Sequence, residues 1–113
     1  MNINRIYTVC LALIFCSGSV FAAEGKVTIS SPENGTAFSQ HDDVVLKYEA
    51  IPGPDGDHLH LYLDGKRVDV IHQLKGSAKV GMLEIGKHHI CLEVNTKGHV
   101  PTGAQACVDV ISK

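Results

Sequence analysis

His58-Leu59-His60-Leu61-Tyr62-Leu63-Asp64-Gly65 is the stretch that decides the fold. Leu59, Leu61 and Leu63 alternate with His58, His60 and Tyr62, the period of a strand with one buried face. Asp64-Gly65 follows at once. That dipeptide accepts positive φ at both positions cheaply, so it turns a strand straight back on itself. Lys66 to Ile71 then reads as the returning strand. A lone hairpin is marginal in water, so the leucine face predicts further strands to cover it.

The flanking sequence supplies them. Lys26 to Ser30, Asp43 to Ala50, Lys79 to Ile85, His88 to Asn95 and Gln105 to Ile111 are short runs rich in Val, Ile, Leu and Tyr. Turn signals separate them: Ser31-Pro32-Glu33-Asn34-Gly35, the loop Pro52 to Asp57, Gly76-Ser77, Gly86-Lys87, and the loop Thr96 to Gly103. No segment carries a helical period. About seven short strands at near-regular spacing predict an all-β chain folded as an immunoglobulin-like β-sandwich.

The N-terminus has a different character. Arg5 precedes an apolar run, Ile6 to Phe15, broken only by Tyr7 and Thr8. Val20 and Ala22 suit the small-residue positions that a signal peptidase reads. The run is too short to span a bilayer, which takes about 20 residues. Residues 1–22 are therefore expected to be a cleavable signal peptide and 23–113 the folded domain. The domain is expected to be periplasmic or secreted, with no membrane insertion after processing. Cys16 follows Phe15, where a lipidation motif wants a small residue, so a lipid anchor is not expected.

The chain has 10 Lys+Arg against 12 Asp+Glu, a net charge of −2, and no run of one sign. It lacks the basic stripe that nucleic acid requires and the polybasic segment that favours anionic lipid. With no Trp and few aromatics, a base-stacking or carbohydrate platform is not expected.

Three stretches carry a resemblance. They are Pro32-Glu33-Asn34-Gly35 opening the domain, Gly56-Asp57-His58-Leu59-His60-Leu61-Tyr62-Leu63-Asp64-Gly65, and Leu83-Glu84-Ile85-Gly86-Lys87-His88-His89. Together they resemble a group of bacterial exported Ig-like domains of unknown function. That group has a His-x-His-Leu strand, a Leu-x-x-Gly-x-His lead into a later strand, and another His in the loop beyond. The resemblance implies the fold and says little about activity. Gly56 to His60 is also similar to the copper-ligand strand of copper–zinc superoxide dismutases, but no second motif of that family is present.

All the histidines, His41, His58, His60, His72, His88, His89 and His99, fall in the folded domain. On the strand, His58, His60 and Tyr62 share the face opposite the leucines. Two imidazoles at His-x-His spacing lie about 7 Å apart, a gap one metal ion can bridge. In an immunoglobulin-like order this strand runs antiparallel to the strand His88 to Asn95, so its start lies near the loop that holds His99. His58, His60 and His99 are thus expected to converge, with Asp57, Glu93 and Asn95 near enough to add a ligand. Imidazole suits copper and zinc, and copper outranks zinc in intrinsic affinity. As outward-facing residues, His58 and His60 would cost the metal-free fold little on replacement. His88 is expected to point inward and hydrogen-bond, His89 to point outward, and His41 and His72 to lie in loops or at the rim.

Cys91 and Cys107 are the cysteines left after the expected cleavage. The hairpin centred near His99 sets them opposite each other on the outer face. In an oxidising compartment they are expected to form a disulfide. The competing reading makes them thiolate ligands near His60, a soft Cu(I) site.

There is no nucleophile elbow, phosphate-cradling loop or His-Glu-x-x-His helix, so the chain is expected not to be an enzyme. It is expected to bind a transition metal, copper ahead of zinc, as carrier, buffer or accessory module. The competing class is a metal-free module that contacts another envelope protein.

Overall fold

The computed structural model describes residues 25–113. The expected signal segment 1–22, with Cys10, Cys16 and the cleavage point before Ala23, lies outside the described residues. The described chain forms β1 (Lys26–Ser31), β2 (Thr36–Phe38), β3 (Val44–Ile51), β4 (His58–Leu63), β5 (Lys66–Ile71), β6 (Lys75–Gly81), β7 (Gly86–Asn95) and β8 (Pro101–Ser112). A three-stranded sheet in the order β1-β3-β6 packs on a five-stranded sheet in the order β2-β8-β7-β4-β5.

Alternation dictates what lies between the sheets. β3 buries Val44, Leu46, Tyr48 and Ala50 and exposes every residue between them. From the facing sheet come Leu59 and Leu61 of β4, Ile90, Leu92 and Val94 of β7, and Ala104, Val108 and Val110 of β8. Full burial of each large aliphatic side chain contributes about 1.5–3 kcal/mol. The one phenol in this core, Tyr48, donates its hydroxyl to the Gln73 carbonyl at 2.8 Å, so its burial leaves no donor orphaned.

The hairpin β4–β5 turns at Asp64 and Gly65, with φ of 51° and 84°, as the Asp-Gly dipeptide predicts. β4 then pairs antiparallel with β7 (His58↔Asn95, His60↔Glu93, Tyr62↔Cys91), the neighbour relation that brings the His99 loop to the start of β4.

Two expectations are corrected. The strand expected over Lys79 to Ile85 lies instead at Lys75–Gly81, and Gly76-Ser77 is part of it rather than a loop. The cause is pairing: Lys75 to Lys79 run along Glu49 to Val45 of β3, and this edge position tolerates glycine. Leu83 is still buried, as an anchor of the loop that follows. β2 was not expected at all. It is three residues long and pairs in parallel with Val110 to Ser112, a partner that local sequence does not announce.

Candidate metal centre

Three imidazole nitrogens meet at one end of the five-stranded sheet. His58 and His60 project from β4 on the face away from the leucines. His99 reaches over them from the turn between β7 and β8. That turn is closed by Thr96 and Val100, whose backbone N–H and carbonyl bond at 2.9 Å, and by His99 N–H donating to the Thr96 carbonyl at 2.9 Å. His99 is held at a φ of 64°, a left-handed conformation that few non-glycine residues adopt.

His58 Nε2 lies 3.0 Å from His60 Nε2 and 3.1 Å from His99 Nδ1. The third side of the triangle, His60 Nε2 to His99 Nδ1, is 3.1 Å. The far nitrogen of His58, Nδ1, faces Asp57 Oδ2 at 2.9 Å and therefore carries the proton. This leaves the Nε2 lone pair of a neutral His58 directed at the other two rings. One N–H lies along one direction in its ring plane, so protons cannot bridge all three sides of such a triangle well. A cation can. An ion about 2.0–2.1 Å from each nitrogen sees the three at mutual angles of roughly 95–100°. The group could hold a metal ion.

The surroundings sort the other candidate ligands. Asp57 holds His58 by its second nitrogen, the arrangement that orients metal-binding imidazoles; that bond also draws the Asp57 carboxyl below its usual range. Glu93 is engaged elsewhere, accepting from Tyr62 Oη at 3.4 Å and from Asn95 Nδ2 at 3.2 Å. Asn95 is 1% exposed, and its Oδ1 is, among the described residues, the buried side-chain polar atom without a hydrogen-bond partner.

The expected exposure of the pair is corrected. His58 and His60 are each only 2% exposed, although they sit on the outer face of the sheet. The His99 turn covers them, and the His72 ring stands 5.5 Å from His58. Burial pushes the His60 imidazole below its ordinary value, and a proton on His58 or the charge of Arg67 would push the same way. Both effects disfavour a proton on this ring.

No family model matches the sequence, and no curated protein matches it. Fibronectin(III)-like modules of Clostridium thermocellum CbhA share the architecture, with a TM-score of 0.63 at 10% identity over 77% of this chain and 95% of theirs. The fold is an immunoglobulin-like β-sandwich. An engineered protein gives a TM-score of 0.54 at 15% identity, over 81% of this chain and 21% of its own. A lytic polysaccharide monooxygenase from Jonesia denitrificans overlaps more loosely, at a TM-score of 0.47 and 20% identity over 74% of this chain and 61% of its own. These likenesses concern the fold alone.

The remaining candidates divide cleanly. His88 donates from Nδ1 to Asp64 Oδ2 at 2.6 Å and from Nε2 to the Glu84 carbonyl at 2.7 Å, a structural role. His89 points outward and is 55% exposed. His41 lies exposed in the β2–β3 loop. Cys91 and Cys107 are directly opposed and bonded to each other, with Cα atoms 4.1 Å apart. The expected alternative, thiolates beside His60, is corrected in position. Tyr62, not His60, stands across β4 from Cys91. The imidazole next to the sulfur is His89, with Nε2 3.2 Å from Cys91 Sγ.

Sequence reasoning passed over His72. A plain two-residue hairpin carries the register Leu63↔Lys66 and Tyr62↔Arg67 onward and would set Ile71 opposite His58. A bulge between Leu61 and Tyr62 shifts the pairing to Leu61↔Asp69 and Leu59↔Ile71, which brings His72 level with His58. The extra residue has no sequence signature beyond the exposed Val68.

Proposed function

We propose that this chain is an exported metal-binding module in which His58, His60 and His99 hold one transition-metal ion, copper ahead of zinc. It serves as a carrier, buffer or accessory module in the periplasm or outside the cell, and not as an enzyme. The carrying observation is the triangle of ring nitrogens 3.0–3.1 Å on a side. Burial, the Asp57 bond and the left-handed His99 backbone all work to keep those nitrogens together. Copper has the higher intrinsic affinity for nitrogen ligands. Imidazole suits zinc as well as copper, so zinc is the direct competitor.

Titration of the oxidised protein with Cu(II) and with Zn(II) tests the reading. One equivalent should bind with a Kd well below about 10 μM, roughly 7 kcal/mol. His60→Ala and His99→Gly should each lose most of that affinity. Affinity should also fall as pH drops from about 7 toward 5, because protons compete for the same nitrogens. If neither ion binds more tightly than about 10 μM, the histidines are a covered polar cluster, and the module's partner is another envelope protein instead.

A further inference from the structure

A second set of donor atoms lies on the same outer sheet face, farther along β7. His89 and Cys91 are two residues apart on β7, and β8 sets Asp109 opposite His89 and Cys107 opposite Cys91. Asp109 Oδ1 is 2.6 Å from His89 Nδ1, so that nitrogen carries the proton. His89 Nε2 then turns its lone pair toward Cys91 Sγ, 3.2 Å away. Ligand atoms of His89, Cys91 and Cys107 all lie within 4.8 Å of one another. His89 and Cys107 are exposed and Cys91 is half-buried. A groove of about 490 Å³ lined by His88, His89 and Asp109 brings solvent to this end of the face.

We propose that this is a redox-gated metal site. It is closed while Cys91 and Cys107 are bonded. When a dithiol reductant opens the disulfide, it becomes a two-sulfur, one-nitrogen site for a thiophilic monovalent ion such as Cu(I).

The chemistry balances as follows. A thiolate of the reductant attacks the exposed Cys107 sulfur, and Cys91 leaves as a thiolate beside His89. The reductant's second thiol resolves the mixed disulfide and departs as the reductant's own disulfide. Two electrons have passed to the protein, which now holds two thiols. Cu(I) displaces their two protons and bonds both sulfurs and His89 Nε2. A disulfide sulfur is a poor ligand, whereas thiolates select soft ions. Asp109 behind His89 fixes its tautomer and ring orientation, as carboxylates do behind metal-bound imidazoles. The β7–β8 ladder runs from Gly86↔Ser112 to Glu93↔Gln105 around the pair, so backbone pairing keeps the sulfurs opposed after reduction. None of this depends on the His58, His60 and His99 group.

The test compares oxidised protein with protein reduced by a dithiol and freed of it under anaerobic conditions. Each is titrated with Cu(I) against a chromogenic Cu(I) chelator. The reduced protein should take up one equivalent more than the oxidised protein, with thiolate-to-metal charge-transfer absorption. Cys107→Ser should lose that equivalent. His89→Ala should weaken it by at least about tenfold, and Asp109→Asn by a smaller factor. Binding of metal by the oxidised protein should be the same in the parent, His89→Ala and Asp109→Asn. Three results overturn the proposal: equal uptake in the two redox states, an extra equivalent indifferent to His89→Ala, or loss of the β-sheet circular dichroism of the reduced protein with Cu(I) present. A failure of the three-histidine site would show instead in the oxidised protein.

Discussion

His58 Nε2 lies 3.0 Å from His60 Nε2, and both rings are withdrawn from solvent on the side of the sheet away from the leucine core. Two basic nitrogens this close, with a third from His99, form an arrangement that gains nothing from the hydrophobic effect and loses hydration. Burial already holds the His60 imidazole below its ordinary value, so a proton on this ring is disfavoured in the metal-free protein. A bound cation would convert mutual repulsion of lone pairs into coordination.

Replacement of the pair should therefore act on stability as well as on metal. Each of His58→Ala and His60→Ala removes a ring that is 2% exposed and leaves a void, costing the metal-free fold about 1–3 kcal/mol by denaturant unfolding. The parent should gain about 2.7 kcal/mol from metal at a hundred times its Kd, and the double variant almost nothing. A double variant stabilised by copper as much as the parent would place the ion elsewhere.

His99→Gly separates binding from folding. At a φ of 64° glycine pays no side-chain penalty, and His99 is exposed, so the metal-free fold should be unchanged or more stable by up to about 1 kcal/mol. Metal affinity should nonetheless fall steeply, because one corner of the nitrogen triangle is gone. Parent-like affinity in a stable His99→Gly protein would remove His99 from the site.

The strand His58–Leu63, its Asp64-Gly65 turn and the pairing with β7 were legible because alternation and turn chemistry are local. The convergence of His58, His60 and His99 followed from that pairing. Their burial did not. It depends on how tightly the turn Thr96 to Val100 folds back, with β8 already starting at Pro101 where a loop through Gly103 was expected. β6 was misplaced because its position is set by hydrogen bonds to β3, and its Gly76-Ser77 pair reads locally as a loop. β2 and the bulge in β4–β5 are likewise fixed by distant or cross-strand partners.

His88 should give stability a pH dependence of definite sign. Its bond to Asp64, with that to the Glu84 carbonyl, raises its imidazole above the ordinary value. The stabilisation is fully present below the unfolded value of about 6.5 and is lost as pH rises through the raised folded value. The stability gap between parent and His88→Gln should thus be widest below about pH 6.5 and narrow at higher pH. Buried His60 works the other way: below about 6.5 the unfolded chain takes a proton that the folded ring resists, so the metal-free parent loses some stability there. Denaturant midpoints measured from acid to alkaline pH check both signs. A gap that widens with rising pH would contradict the His88 assignment.

The Cys91–Cys107 bond joins the two strands that the His99 turn already connects, across a sequence separation of 16. In the chain-entropy view, closing a loop of that size stabilises by about 3 kcal/mol, chiefly by restricting the unfolded chain. The native ladder gains little from it, because Glu93↔Gln105 and His89↔Asp109 pair on either side of the bridge. Cys91→Ser/Cys107→Ser should therefore keep the β-sheet circular dichroism of the parent while its Tm falls by at least about 10 °C. The cost should appear mainly as slower folding from a less restricted denatured state, and copper binding by His58, His60 and His99 should be unchanged. A double serine variant that no longer folds would show that the bridge holds β7 against β8, rather than merely limiting the freedom of the unfolded chain.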